Sequence, residues 1–98
     1  MPPFAVEVHP AAADEAEAAE RWYRDRNETA ATRFRRELDR AVEMIAERPE
    51  VASPYVSNTR RFLLRRFPFF VVYRVFSQRV QVVAVAHARR RPQYWRQR

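Results

Sequence analysis

The sequence predicts an α+β domain in the order strand, helix, helix, strand, strand, strand, with a helix hairpin packed on a small antiparallel sheet. Three observations carry that prediction. Apolar residues alternate near the N-terminus, they recur at three and four between positions 12 and 45, and three β-rich runs follow one another from position 61 to 87.

Phe4, Val6 and Val8 alternate with Ala5, Glu7 and His9, so residues 4–9 read as a strand that Pro10 closes. From Ala11 the composition turns to Ala and Glu, with Ala12, Ala16, Ala19 and Tyr23 on one helical stripe. Asp14, Glu15 and Glu17 are expected near the start of this helix, where its dipole favours carboxylates, and it should end near Arg26. Asn27 is a candidate N-cap for a second helix, whose apolar positions are Ala31, Phe34, Leu38, Ala41, Val42 and Ile45 and which stops before Pro49. So short a link makes the two helices an antiparallel hairpin. Trp22 and Phe34 are expected in the core between helices and sheet. Residues 49–59 hold prolines, serines and an asparagine without periodicity, and read as a loop. The three strands are residues 61–67, 69–76 and 79–87, turning at Pro68 and at Ser77-Gln78. The middle one is apolar on both faces, Phe69, Val71, Tyr73 and Val75 against Phe70, Val72 and Phe76, so it should be central and covered on both sides. The helix hairpin covers one face. The other, beside a row of arginines, is a candidate docking surface for another chain.

At 98 residues the chain is expected to form one domain, 1–98, with a basic tail over 88–98. No run is long and apolar enough for a membrane helix, and the N-terminal residues lack the pattern of a signal peptide, so a cytoplasmic location without membrane contact is expected. With no cysteine and no glycine, thiolate metal sites, disulfides, cysteine nucleophiles and glycine-built phosphate loops are excluded, and no cofactor is expected. The net charge of +7 is divided sharply along the chain. Residues 1–50 contain all twelve acids and eight arginines, a balance of −4, while residues 51–98 contain eleven arginines and no acid, a balance of +11. All nineteen cations are arginine, whose planar fork suits carboxylates, phosphates and aromatic faces. An acidic partner is implied.

Within the basic half, Arg61, Arg65, Arg66, Arg74, Arg89, Arg90 and Arg91 are the candidate partner-binding cations. Arg65 and Arg66 would fall on opposite faces of a strand, one toward the helices and one outward. Tyr94 and Trp95 could stack on bases or insert into a partner; equally, the tail could fold back and bury Trp95 against the sheet. If the chain cleaves RNA, the proton shuttles must be histidines or tyrosines, because arginine does not give up its proton. His87 ends the last strand amid Arg89, Arg90 and Arg91, a setting that favours the neutral imidazole a base requires. A metal-independent cleavage site would then use His87 with Arg66, Arg90 and Tyr94.

Two motifs, RRFLLRRFPFFVVYR at 60–74 and HARRRPQYW at 87–95, together with the element order, resemble the RelE/ParE toxin superfamily. AATRFRREL at 30–38 and IAERP at 45–49 resemble the second helix of ParE-like members. The resemblance implies the toxin half of a type II toxin-antitoxin pair, neutralised by a cognate antitoxin with an acidic C-terminal segment. It leaves two activities: ParE-like inhibition of DNA gyrase by binding, or RelE-like cleavage of messenger RNA on the ribosome. Against the RelE-like ribonucleases, Phe70 stands where they carry an arginine and Leu63 where they carry one of two lysines. Arg61 falls at the other lysine position, Arg90 at a later arginine and Tyr94 near a terminal tyrosine. The incomplete set favours the ParE-like reading, in which the toxin is not an enzyme.

Overall fold

The computed structural model describes residues 3–98. Its elements are β1 (Ala5–Val8), α1 (Pro10–Arg24), α2 (Glu28–Glu47), β2 (Ser53–Tyr55), β3 (Thr59–Leu63), β4 (Phe69–Val75) and β5 (Arg79–His87). The expected order holds with one addition. β2, three residues including Pro54, lies inside the expected loop and pairs antiparallel with β3 as an edge strand. Three residues are too few for alternation to register, and proline is tolerated there because an edge strand need not donate on both sides.

The strands run β1-β5-β4-β3-β2, and β1 pairs with β5 in parallel. The expected meander is present as β3, β4 and β5, but the sheet is mixed rather than wholly antiparallel. Alternation marks a strand without giving its direction; the direction of β1 follows from a helix hairpin that brings the chain back over one face.

Both helix starts are set by side-chain caps. His9 Nδ1 accepts from the Ala11 amide at 3.0 Å with Pro10 behind it in the first turn, and Asn27 Oδ1 accepts from the Ala30 amide at 3.1 Å. Because α1 begins at Pro10, Asp14, Glu15 and Glu17 lie past its first turn, which holds no acid. Glu15 has other work. The parallel pairing of β1 ends at Val8 and Val82, leaving the edge of β5 beyond it without a neighbouring strand. There Glu15 Oε1 accepts from the Val85 amide at 3.0 Å, and the Arg98 guanidinium donates to the Val83 carbonyl at 3.1 Å. Arg98 also binds both oxygens of Glu15, at 2.8 and 3.1 Å. An ion pair thus satisfies backbone groups that a longer β1 would have satisfied.

One face of the sheet packs on the helices. Ala12, Ala16 and Ala19 of α1 and Phe34, Leu38, Ala41 and Ile45 of α2 enclose Val71, Tyr73, Val80, Val82 and Val85. Phe34 is fully buried as expected, but Trp22 is 53 % exposed. Tyr23, one residue on, takes the place in the core with its ring 5.4 Å from Phe34 and 5.0 Å from Phe67, which rotates Trp22 outward under the Arg26 guanidinium at 3.6 Å. Between Val72 and Tyr73 the register with β5 slips by one, leaving Val83 unmatched. The bulge sends Val80, Val82 and Val85 to the helices and Val83, Ala84 and Ala86 to the far side.

The far face is closed by the chain's own tail. Trp95 is 1 % exposed and sits on Phe70, Val72, Val83, Ala84 and Ala86, with Tyr55 and Tyr94 packed around it. Burying an indole of that size stabilises by about 4–6 kcal/mol before ordering costs. No glycine is present to relieve the tight connections, so Ser57, Asn58 and Gln93 take positive φ of 57°, 58° and 61°. Among the described residues no helix is long and apolar enough to cross a membrane.

Candidate partner-binding surface

The arginines of the basic half do not form one surface. Arg61 and Arg74 belong to the tail side: Arg61 lies over the rings of Tyr55 and Phe70 at 4.5 and 5.3 Å, and Arg74 donates to the Arg98 carbonyl at 3.3 Å. Trp95, expected as a possible contact for a partner, is instead the plug of the far sheet face, and the apolar face that looked free for docking is thereby occupied. Arg89 and Arg91 stay exposed on the tail.

Of the four residues expected in a cleavage site, His87, Arg90 and Tyr94 lie near one another and Arg66 lies apart. His87 is half-buried, its ring edge-on to Phe69 with centroids 5.0 Å apart, and its Nδ1 accepts from the Arg89 amide at 3.0 Å. Arg90 pairs with Glu15 Oε2 at 3.1 Å and lies over the Tyr94 ring at 3.6 Å. Burial, and then the Glu15 carboxylate beside it, push the Tyr94 hydroxyl well above the ordinary tyrosine range, and no partner lies within hydrogen-bonding distance. It is therefore poorly suited to give up a proton. His87 and Arg90 border an aromatic cleft of about 450 Å³ with Trp22, Tyr23, Pro68 and Phe69, while Arg66 lines a different groove.

That second groove, of about 570 Å³, runs between α2 and the end of β3. β3 stops at Leu63, so Arg65 and Arg66 lie in the following bend rather than on opposite faces of a strand. Both of their amides donate to Glu37 Oε1 of α2, the Arg66 bond measuring 3.1 Å, and both side chains are exposed at the groove. This bend is pinned because the carboxylate satisfies two successive backbone donors. On the opposite wall stand Arg33, Arg36 and Arg40, which the charge division along the sequence concealed because they lie in the acidic half. Their signal was spacing: positions 33, 36 and 40 recur at three and four on the flank opposite Phe34, Leu38 and Ala41. The floor is apolar, built from Ala41, Phe62 and Leu64, with Met44 37 % and Leu63 61 % exposed. The pairing of β2 with β3 ends at Arg61, which leaves the edge at Leu63 without a neighbouring strand.

Glu20 binds Arg24 at 2.6 Å and Arg35 at 2.8 Å, and those hydrogen bonds, Arg24 first, hold its carboxyl below the usual range. The exposed pair Glu7 with Arg79 joins β1 to β5 at 2.7 Å.

Residues 6–92 match the family described as the ParE toxin of the type II toxin-antitoxin system parDE. A solved structure titled as the chromosomal ParDE TA system from P. aeruginosa is similar in fold, with a TM-score of 0.77 at 18 % identity, covering 86 % of this chain and 95 % of the other. A comparison with curated proteins returns no match.

Proposed function

The chain belongs to the ParE toxin family of type II toxin-antitoxin systems, and we propose that it acts by binding a target, DNA gyrase, rather than by catalysis. A cognate antitoxin with an acidic C-terminal segment holds it inactive in the cytoplasm. The observation that carries this reading is the state of the residues a cleavage site would use. Arg66 is in one groove, His87 and Arg90 border another, Arg90 is committed to Glu15, and the Tyr94 hydroxyl is buried. Cleavage by the 2'-hydroxyl of RNA requires a base, a free cation on the phosphate and an acid around one phosphorus, and here one arginine stands apart, the other is held by a carboxylate and the tyrosine keeps its proton. Exposed arginine beside apolar surface supports binding instead.

Induced expression of the wild type and of His87→Ala in bacteria without antitoxin separates the two activities. Early loss of plasmid supercoiling is expected with both, with protein synthesis falling only later. Early loss of translation that disappears in His87→Ala would overturn the binding mechanism in favour of ribosome-dependent cleavage of messenger RNA.

A further inference from the structure

We infer that the cleft between α1, the start of β4 and the end of β5 binds a small planar aromatic carboxylate, its ring against Trp22, Tyr23 and Phe69 and its charge on Arg90 and His87. The cleft holds about 450 Å³, within the range of small-molecule sites. It exists because Ala18 and Ala19 give only methyl groups to this stretch of α1, too little to fill the space between the helix and the sheet. Trp22 is the second sign. Its indole is 53 % exposed, with the Arg26 guanidinium over the ring and Tyr23 edge-on to it, and a flat ligand in the cleft would cover apolar area now left in water.

The polar rim decides the charge of the occupant. Glu15 accepts from the Val85 amide, from Arg90 and twice from Arg98, which fills its four acceptor positions and leaves none for a donor on a ligand. Two guanidinium groups at +2 and this one carboxylate at −1 leave the rim at +1. Arg90 gives Glu15 one of its five N–H donors, its side chain is 52 % exposed, and it lies flat over Tyr94. A fork held in this way is preorganised for a resident anion. His87 adds a neutral donor, because its Nδ1 accepts from the Arg89 amide and the ring proton is therefore on Nε2. One carboxylate balances the rim, whereas a phosphate monoester near −2 overfills it and a neutral ring leaves it unmet.

The test follows the two tryptophan indole N–H signals of the nitrogen-15-labelled full chain by NMR, since Trp22 lines the cleft and Trp95 is buried on the far face of the sheet. The probe is 2-naphthoate, compared with 2-naphthalenemethanol, cyclohexanecarboxylate and 2-naphthyl phosphate. Naphthoate should move the Trp22 signal and leave that of Trp95 in place, with a Kd of about 1 mM or below. The alcohol and the cyclohexane acid should each bind at least fivefold more weakly. Ala18→Leu places a larger side chain in the cleft from an exposed helix position, and should weaken naphthoate binding at least tenfold. Arg90→Gln should cost naphthoate at least fivefold and the alcohol less than twofold, whereas Arg91→Gln on the exposed tail should cost either less than twofold. An unchanged Trp95 signal establishes that the tail of each variant is still seated. Equal affinity for naphthoate and the alcohol would reduce the site to an apolar crevice, and tighter binding of the naphthyl phosphate would make it a phosphate site; either result overturns the carboxylate. Undiminished binding by Ala18→Leu, or a Trp22 signal that does not move, would overturn the cleft itself.

Discussion

The two faces of the sheet are sealed by different means. The helix face is closed by two helices whose alanines let the backbones approach and whose rings Tyr23 and Phe34 lock edge to face with Phe67 and Phe69 at the start of β4. The far face is closed by a tail without regular structure whose single large anchor is Trp95, held by the Glu15–Arg98 pair. A face covered by helices distributes its burial over many side chains. A face covered by a tail depends on one ring and one ion pair, and so can be opened without dismantling the rest.

Breaking each face separately gives the largest effects. Phe34→Ala should destabilise by about 4 kcal/mol and Trp95→Ala by about 3 kcal/mol, measured by urea unfolding. The two should differ in kind. Trp95→Ala is expected to keep the native far-ultraviolet signal and to bind an apolar dye through the uncovered face, whereas Phe34→Ala should weaken the whole cooperative transition. Dye binding and loss of cooperativity that match in the two variants would remove the contrast.

A smaller effect sharpens the role of the tail's ion pair. Glu15→Ala leaves the Val85 amide without its acceptor and the half-buried Arg98 without its carboxylate, and should cost about 2–3 kcal/mol. Removing the exposed Glu7 that pairs with Arg79 should cost under about 1 kcal/mol. A double-mutant cycle between Glu15 and Arg98 reads the coupling, and a value near zero would mean that the tail is held by Trp95 alone.

The smallest effect is a pH dependence with one tyrosine on each face. Burial raises Tyr73 on the helix side, whose hydroxyl donates to the Pro49 carbonyl at 2.8 Å, and burial with the neighbouring Glu15 raises Tyr94 on the tail side. Both ionise in the unfolded chain near the ordinary value of 10.0, before they do so in the folded one. Their contribution is therefore fully present below pH about 10 and is lost as the pH rises beyond it. Urea midpoints measured from pH 9 to 12 should fall, and Tyr94→Phe should flatten the decline more than Tyr73→Phe. An unchanged slope in Tyr94→Phe would place that hydroxyl in contact with water.

Local rhythm and capping chemistry carry most of the fold in the sequence itself. The alternation of β1, the three- and four-residue stripes of α1 and α2, the Asn27 cap and the β3–β4–β5 meander are legible because each is set by residues close together along the chain. The Arg65–Arg66 side of the groove could be picked out as well. Other features depended on partners far away in sequence. β2 is too short to show alternation and forms because β3 offers an edge. Trp22 and Tyr23 both lie near the buried stripe of α1, and only the position of Phe34 and Phe67 decides which turns inward. Arg33, Arg36 and Arg40 have the spacing of a helix flank, but their place opposite Arg65 and Arg66 exists only once Glu37 pins the bend after β3 against α2. Trp95 likewise had two fates open to it, solvent or core. The tail carries no periodicity to choose between them, and the choice was made by an apolar sheet face on β4 and β5 and by a carboxylate on α1 that holds the last arginine.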